Sequence, residues 1–183
     1  SSGSGDNNSD FPQFTSYKAD FKIKNILEDI DYEGGFSLNG NEFIGVGNQD
    51  NQAKLTYFHN GKEVVHSFSD QVRIKGTTLN TPMARFYLFL GENDTIMHPG
   101  LDILYNNETK IVSFIRGSSP ITQAPFINTY HQLNFYVEEL YFDKRNNKLI
   151  LGFNRSTSEA QRVARFESSQ YYDEQLFQRI QGM

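Results

Sequence analysis

Histidines and carboxylates are the residues of this chain best suited to chemistry, and their spacing is the first test of an active or metal site. The histidines make none of the H-x-x-x-H, H-E-x-x-H or H-x-H patterns that would let two of them share a metal ion. They are His59, His66, His98 and His131. His66 falls on an apolar strand face, where a hydrogen-bonded structural role is more frequent than ligation. The tripeptide His98-Pro99-Gly100 has the composition of a turn.

Glu138 and Glu139 form the carboxylate pair of the segment richest in Phe and Tyr. A general acid and base need two carboxylates aimed at one bond, usually from different strands. Adjacent strand residues point to opposite faces, so we expect at most one of the two to enter a given cleft. At least one of them is interpreted as a solvated charge.

Other motifs of catalysis or ligand binding are missing. Asn48, Asp50 and Asn51 offer oxygens but lack the spacing of an EF-hand loop. The nucleophile motifs G-x-S-x-G and S-x-x-K do not occur, and the absence of Cys excludes thiolate nucleophiles, thiolate metal sites and disulfides. We predict no catalytic residue, no metal ligand and no cofactor, while a site assembled from distant strands stays open.

A glycine-rich stretch spans residues 31–48. It contains Gly34, Gly35, Gly40, Gly45 and Gly47 between short apolar pairs. A phosphate cradle would need a G-x-G-x-x-G or P-loop pattern opening a helix, and no helical pattern follows. These glycines therefore indicate tight turns, bulges or close approach of strands.

The rest of the chain has the alternation of strands. Polar and apolar residues alternate from Tyr17 to Lys24, and Asn60-Gly61 is the preferred pair for a type I′ hairpin turn. Residues 128–143 fit a strand or a helix, and the dominance of Phe, Tyr and Val favours strands. Further strands are predicted at Arg85–Leu90, Leu101–Tyr105, Ile111–Arg116, Tyr141–Asp143 and Lys148–Phe153. The pattern predicts an all-β fold, an antiparallel sandwich or β-roll.

The C-terminus differs from the strands and predicts a short α-helix at about residues 169–181. Ser168 or Ser169 can cap its first turn, and Tyr172, Leu176 and Ile180 form an apolar stripe at i, i+4 and i+8. Such a short helix is marginal in water by itself, so it must pack on the sheet or on a partner.

The domain prediction is a flexible polar tether at residues 1–10 and a single β-rich domain at residues 11–183. The first ten residues, SSGSGDNNSD, cannot bury apolar area. They fit an engineered linker or the tether that follows a removed lipoprotein Cys. The 183-residue chain does not begin with Met, so we expect a processed product or an excised fragment.

Charge and hydropathy exclude several partners. The net charge is −5, and the 17 basic residues are dispersed along the chain, which argues against nucleic acid and anionic membrane surfaces. No apolar run approaches the roughly 20 residues needed to span a bilayer. We expect no nucleic-acid partner and no membrane span, although a removed N-terminal lipid anchor could tether the chain to a membrane.

Three segments resemble parts of long, uncharacterised, β-rich envelope proteins of Bacteroidetes-type bacteria. They are YEGGFSLNG at residues 32–40, HPGLDILY at 98–105 and ARFESSQYYDEQLFQRIQGM at 164–183. The similarity covers most of the chain after Phe11. The resemblance implies a domain of a larger exported protein, located in the cell envelope, the periplasm or at the cell surface. It implies no activity and no functional residues.

The sequence favours a non-catalytic structural or protein-interaction module of an exported or cell-envelope protein, with other domains of a larger assembly as its protein partners. This hypothesis predicts an exposed edge strand or apolar patch as the contact surface. A glycan-binding or glycan-active β-sandwich domain is one alternative, because Phe and Tyr are abundant. A lipid or small-ligand carrier is a second, if the sheet encloses an apolar cavity. Clustered exposed aromatic residues would mark a binding face.

Overall fold

The computed structural model of the protein describes residues 13–47, 51–152 and 164–169, the first eight of them as backbone only. This part of the chain forms fourteen strands, all paired antiparallel, and one short 3₁₀ helix at Pro120–Gln123. The strands are β1 (Gln13–Leu27), β2 (Ile30–Asn39), β3 (Glu42–Val46), β4 (Ala53–His59), β5 (Lys62–Ser69), β6 (Gln71–Lys75), β7 (Thr78–Phe89), β8 (Thr95–Asn106), β9 (Ile111–Ile115), β10 (Phe126–Asn128), β11 (Leu133–Tyr136), β12 (Glu139–Asp143), β13 (Lys148–Gly152) and β14 (Arg165–Ser168). The predicted all-β antiparallel fold is confirmed.

Four long strands, β1, β2, β7 and β8, run through both layers of the fold. One edge of β2 pairs first with β4 and then with β3. One edge of β7 pairs with β6 and then with β5. One edge of β8 pairs with β10 and then with β9. Each long strand therefore passes from one layer to the other. Layer one contains β4, β5, β10, β11 and β14, and layer two contains β3, β6, β9, β12 and β13. The result is a two-layer β-roll.

Strand β2 changes layer at two glycines. In β2 the change falls at Gly34-Gly35, and Gly34 has a φ of 151°. Gly45 of β3 lies against this bend, because a Cβ atom there would stand 2.6 Å from the ring of Tyr32. The glycines therefore serve a bend and a close approach of strands, as the sequence indicates.

In β7 and β8 the change of layer coincides with irregular pairing. Met83 has a φ of 50°, and the register between the two strands shifts on either side of Ala84. Phe86 pairs with His98 and Ala84 with Leu101, so β8 holds one extra residue there. The turn predicted at His98-Pro99-Gly100 is therefore wrong: these residues form a bulge within β8, a position that tolerates a proline without an N–H.

Aromatic side chains fill the space between the layers. The ring of Phe86 stacks on that of Phe114 with centroids 4.5 Å apart, and Tyr57 meets Tyr105 edge-on at 6.4 Å. All four side chains are almost completely buried. Because these contacts join β7 to β9 and β4 to β8, they hold layer one against layer two.

The pairing pattern of β2–β7 recurs in β8–β14. Each unit begins with a long strand, β2 or β8, and continues with a strand of layer two, β3 or β9. A hairpin of layer one follows, β4–β5 or β10–β11, and the chain then returns to layer two with β6 or β12. In the first unit β7 closes the pattern by pairing with both β6 and β5. In the second, β13 pairs with β12 and a separate strand, β14, pairs with β11. The sequence alone shows no tandem repeat of fixed period.

Local predictions can be compared in the described ranges. The Asn60-Gly61 hairpin is present, with both residues at positive φ, and the ambiguous segment at 128–143 contains β11 and β12. The expected tether at 1–10, the expected helix beyond Ser169, and Asn48 and Asp50 lie outside the described residues. Within the described ranges, no helix has both the length and the apolar character to span a bilayer.

The bulge at His98 is held by the imidazole. Its Nδ1 accepts a hydrogen bond from the Gly100 N–H at 3.1 Å, so its Nε2, 2.9 Å from the Ala124 carbonyl oxygen, is the donor. The side chain is buried and its ring lies against Phe126. Burial lowers the pKa of His98 from its ordinary value of 6.5 to about 4.

The lowered pKa of His98 predicts a loss of stability in mild acid. Between about pH 6.5 and pH 4 the unfolded chain binds a proton that the folded chain does not, so the free energy of unfolding falls with pH by up to about 1.4 kcal/mol per unit. His98→Gln removes this contribution and keeps a donor for Ala124. Urea unfolding at pH 7 and pH 5 should show the wild type losing more stability than the variant. Equal losses in the two proteins would contradict the assignment.

Candidate functional site

The two layers leave an apolar cleft between them near β13 and β14. The cleft has a volume of about 340 Å³ and is lined by Leu133, Phe135 and Phe166 from layer one and by Leu149 and Leu151 from layer two. We call it the open-end cleft. Ile96 of β8 also contributes to its lining.

Three of the lining side chains are large, apolar and exposed. Leu149 is 37 % exposed, Leu151 is 43 % exposed and Phe166 is 53 % exposed. Within the described ranges β13 pairs with β12 alone and β14 pairs with β11 alone, so no described strand covers their other edges. Alternation along β13 turns Leu149 and Leu151 to the cleft, while Ile150 between them is absent from its lining.

The two polar residues of the open-end cleft are hydrogen-bonded to each other. Asn128 and His131 lie at the β10–β11 turn, where the His131 N–H donates to the Asn128 side-chain oxygen at 3.1 Å. The Asn128 amide nitrogen lies 3.1 Å from the His131 Nδ1. The remaining lining residues are apolar, so the cleft offers a ligand mainly apolar contact.

A second cleft, of about 390 Å³, is polar and is lined by Arg116, Glu138 and Glu139 together with neighbouring residues. Both residues line it, whereas at most one of the two carboxylates was expected to enter a given cleft. The reason is local: β12 begins at Glu139, so Glu138 precedes the regular strand, and its carbonyl accepts a hydrogen bond from the Arg116 N–H at 2.9 Å. The alternation rule therefore does not apply to this pair.

Arg116 has a structural role in this polar cleft. Its guanidinium donates to the carbonyl oxygens of Thr122, at 3.0 Å, and Val137, at 3.3 Å, and also to that of Gln123. Burial lowers its pKa, and its guanidinium carbon lies 5.6 Å from the ring centroid of Tyr136. The side chain thus ties the 3₁₀ helix to the connection between β11 and β12.

Glu139 is the buried carboxyl of the polar cleft, at 9 % exposure. Burial, with a contribution from the charge of Glu138, raises the pKa of the Glu139 carboxyl. A carboxyl with a raised pKa in a cleft is one element of a general acid. A general acid also needs a second catalytic group or a metal ion close to it. In the ranges that the structure describes, no three His, Asp or Glu side chains group closely enough to hold a metal ion.

The other histidines singled out by sequence are not brought together. His66 lies on the outer face of layer one, 2.8 Å from a Glu63 carboxylate oxygen, and its ring meets Phe89 edge-on at 4.9 Å. His59 sits at the β4–β5 turn, where its ring meets that of Phe142 edge-on. Neither lines the open-end cleft or the polar cleft.

Part of the aromatic content faces outward. Phe86 is buried, whereas Tyr87 and Phe89 of the same strand are half-buried on the outer face, beside Phe68 of β5. Phe68 and Tyr87 meet edge-on at 82°, and Arg85 lies over the ring of Phe68. Neighbouring rings on this face are nearly perpendicular to one another, so they do not form one continuous stacked surface.

Sequence reasoning placed Leu133, Leu149 and Leu151 on strands but not in a site. The signal that could have identified them is the run Leu149-Ile150-Leu151, in which consecutive residues of a predicted strand are aliphatic. Such a run gives a strand two apolar faces, and both need cover. Which surface faces Leu149 and Leu151 depends on the packing of the two layers.

The raised pKa of Glu139 predicts that its ionised form destabilises the fold. The folded chain keeps this proton to a higher pH than the unfolded chain, so the contribution to stability present in acid is lost as the pH rises. Glu139→Gln should therefore increase the free energy of unfolding at pH 7 and have little effect near pH 4, measured by urea unfolding. Glu92→Gln in the exposed turn after β7 is the control. A loss of stability at pH 7 in Glu139→Gln would instead indicate a favourable ion pair.

Comparisons with known proteins identify no family for the chain. No family model matches the sequence, and no curated protein matches it. A similar solved structure is the crystal structure of LptH from Pseudomonas aeruginosa, described as the LptA homologous periplasmic component of the conserved lipopolysaccharide transport device. It has a TM-score of 0.44 and 14 % identity, and the alignment covers 85 % of this chain and 94 % of that chain. At this distance the likeness carries no functional argument, so a function must be argued from this chain's own clefts.

Proposed function

We propose that this chain is a non-catalytic, lipid-binding module that holds an acyl chain in the open-end cleft. The observation that carries the proposal is that both layers turn exposed Leu and Phe side chains towards one space. Leaving such side chains in water costs about 25 cal/mol for each Å² of apolar surface. A ligand that covers them is therefore stabilised chiefly by the hydrophobic effect.

The chemistry of the cleft selects an apolar ligand. Its volume, about 340 Å³, lies at the lower end of the range for small-molecule sites. Its polar residues, Asn128 and His131, bond to each other. The other lining residues are Ile, Leu and Phe, so a hydrocarbon chain fits the cleft better than a charged metabolite or a sugar. This preference separates the lipid-carrier hypothesis from the glycan-binding one.

The location belongs to the same proposal. The resemblance of residues 32–40, 98–105 and 164–183 to β-rich envelope proteins supports an exported protein of the cell envelope, the periplasm or the cell surface. Lipids with acyl chains are abundant in that compartment. We also propose that an N-terminal lipid anchor, since removed, tethers the native protein to a membrane.

A second candidate function is protein interaction through the edge of β13. Within the described part of the chain this edge has no partner strand, and Ile150 adds an outward apolar side chain at 48 % exposure. An extended segment of another protein could add to such an edge by backbone hydrogen bonds. This surface is distinct from the cleft, because Ile150 is not among the cleft's lining residues.

The two candidate functions can be separated with variants of adjacent residues on β13. Leu151→Asp places a charge in the open-end cleft, whereas Ile150→Asp places the same charge on the opposite face of the same strand. We expect cis-parinaric acid, a fluorescent fatty acid, to bind the wild type saturably. Leu151→Asp should raise its Kd at least tenfold, equivalent to about 1.4 kcal/mol, and Ile150→Asp should change it less than about twofold.

Circular dichroism should show that both variants keep the β-roll. An absence of saturable binding by the wild type would contradict the proposal, as would equal losses in the two variants. A partner protein that is lost with Ile150→Asp and kept with Leu151→Asp would favour the second candidate.

A further inference from the structure

The polar cleft contains a buried carboxyl group without a counter-ion. Glu139 lines the cleft and is only 9 % exposed, so more than nine-tenths of the residue is buried. In the ranges that the structure describes, no hydrogen bond and no ion pair reaches its carboxylate. A carboxylate in such a position has lost much of its hydration, so it needs a cation beside it or a bound proton. The described chain therefore leaves the Glu139 carboxylate unpaired.

The strands on either side of Glu139 offer it no positive charge. Its neighbours in the sheet are Ile115 of β9 and Gly152 of β13, and neither residue is charged. Tyr141, two residues further along β12, covers Gly152: a Cβ atom on this glycine would stand 2.4 Å from the Tyr141 ring. Burial raises the pKa of the Glu139 carboxyl, and the nearby charge of Glu138 raises it further. Both causes act against the ionised form, and a bound cation would oppose them.

Arg116, the cation that lines the same cleft, is committed to other groups. Its guanidinium donates to three carbonyl oxygens, those of Thr122, Gln123 and Val137. Its charge is not among the causes that shift the pKa of the Glu139 carboxyl. Pairing with Glu139 would take the guanidinium away from the carbonyls that it holds in place. The counter-ion must therefore come from outside the described chain.

We propose that the polar cleft binds a small organic amine whose ammonium group pairs with the Glu139 carboxylate. A hydrogen bond from an ammonium N–H to a carboxylate is charge-assisted and stronger than one between neutral groups. Glu138 adds a second negative charge at the same cleft, and this charge attracts a cation. Ser118 and Ile115 also line the cleft, and they offer the rest of the ligand one polar and one apolar contact.

The size and the side chains of the polar cleft favour an organic cation over a metal ion. Its volume of about 390 Å³ suits a small molecule. A calcium ion takes about six to eight oxygen ligands, whereas in the part of the chain that the structure describes no third His, Asp or Glu joins the two glutamates. The positive charge of Arg116 in the same cleft further disfavours a divalent ion. An alkylammonium ion needs fewer acceptors and can place its methylene groups against Ile115.

Calorimetric titration of the full chain at pH 8 tests the site with 1,5-diaminopentane as the probe. We expect saturable binding at one site, and no binding of 1,5-pentanediol, in which neutral hydroxyl groups replace the ammonium groups. Glu139→Gln should raise the Kd at least tenfold, because it removes the charge and keeps the size of the side chain. Glu92→Gln removes the same charge from the exposed turn after β7 and should change the Kd less than about twofold. Circular dichroism should show that Glu139→Gln is folded, since the change removes an unpaired buried charge.

The same titration at lower pH identifies the carboxyl that pairs with the amine. As the pH falls through the raised pKa of the Glu139 carboxyl, protonation removes its negative charge, so the affinity of the wild type should fall. The other charged groups of the cleft are Glu138 and Arg116, and Arg116 keeps its charge over this range. Glu138→Gln should therefore keep the pH dependence, whereas Glu139→Gln should lose it.

An absence of saturable binding by the wild type would overturn the amine site, as would equal affinities in Glu139→Gln and the wild type or equal binding of the diol. Binding of Ca²⁺ in place of the diamine would overturn it in favour of a metal site. Amine binding is independent of lipid binding, because the polar cleft and the open-end cleft share no lining residue. Glu139→Gln should leave the Kd for cis-parinaric acid within about twofold, so either function can fail while the other stands.

Discussion

Each long strand must bend from one layer into the other while its backbone stays paired, and the rest of the fold depends on this constraint. β2, β7 and β8 each bond to two successive partners along one edge, and β1 follows β2 through both layers. An extended strand resists a sharp bend, so the backbone is irregular where each strand changes layer. The irregular positions are Gly34-Gly35 in β2, Met83 at positive φ in β7, and the bulge at His98 in β8. At the last of these, a buried imidazole supplies hydrogen bonds that the interrupted ladder lacks. Which strands can pair, and in which layer, follows from where these bends fall.

Once the bends define two layers, the side chains between them determine where the layers are in contact. In the middle, Phe86 on Phe114 and Tyr57 beside Tyr105 fill the gap with rings from both sides. At the corner between the β1–β2 turn and the end of β12, Lys144 and Asp29 join the layers with a 3.2 Å ion pair. Near β13, layer two contributes only Leu side chains, and they remain partly exposed.

The difference between the two repeated units explains where the cleft lies. In the first unit a continuous strand, β7, pairs in both layers and links them. The second unit has two strands at the corresponding place, β13 in layer two and β14 in layer one. No described backbone pairing joins these two strands, so the apolar faces that they present are separated by the open-end cleft. The cleft is therefore a consequence of topology rather than of any local motif.

The sequence by itself determined much of the local structure: many of the strands, the hairpin at Asn60-Gly61 and the close approach at the glycines. These features depend on alternation and on backbone preferences, which act between near neighbours and are visible in one chain. Tertiary structure decided the rest. It made His98 part of a bulge, placed Glu138 and Glu139 along one cleft, and brought β13 opposite β14. The physical reason is that layer membership depends on pairings between residues far apart in sequence, and a strand pattern does not specify which distant surface its apolar side chains will meet.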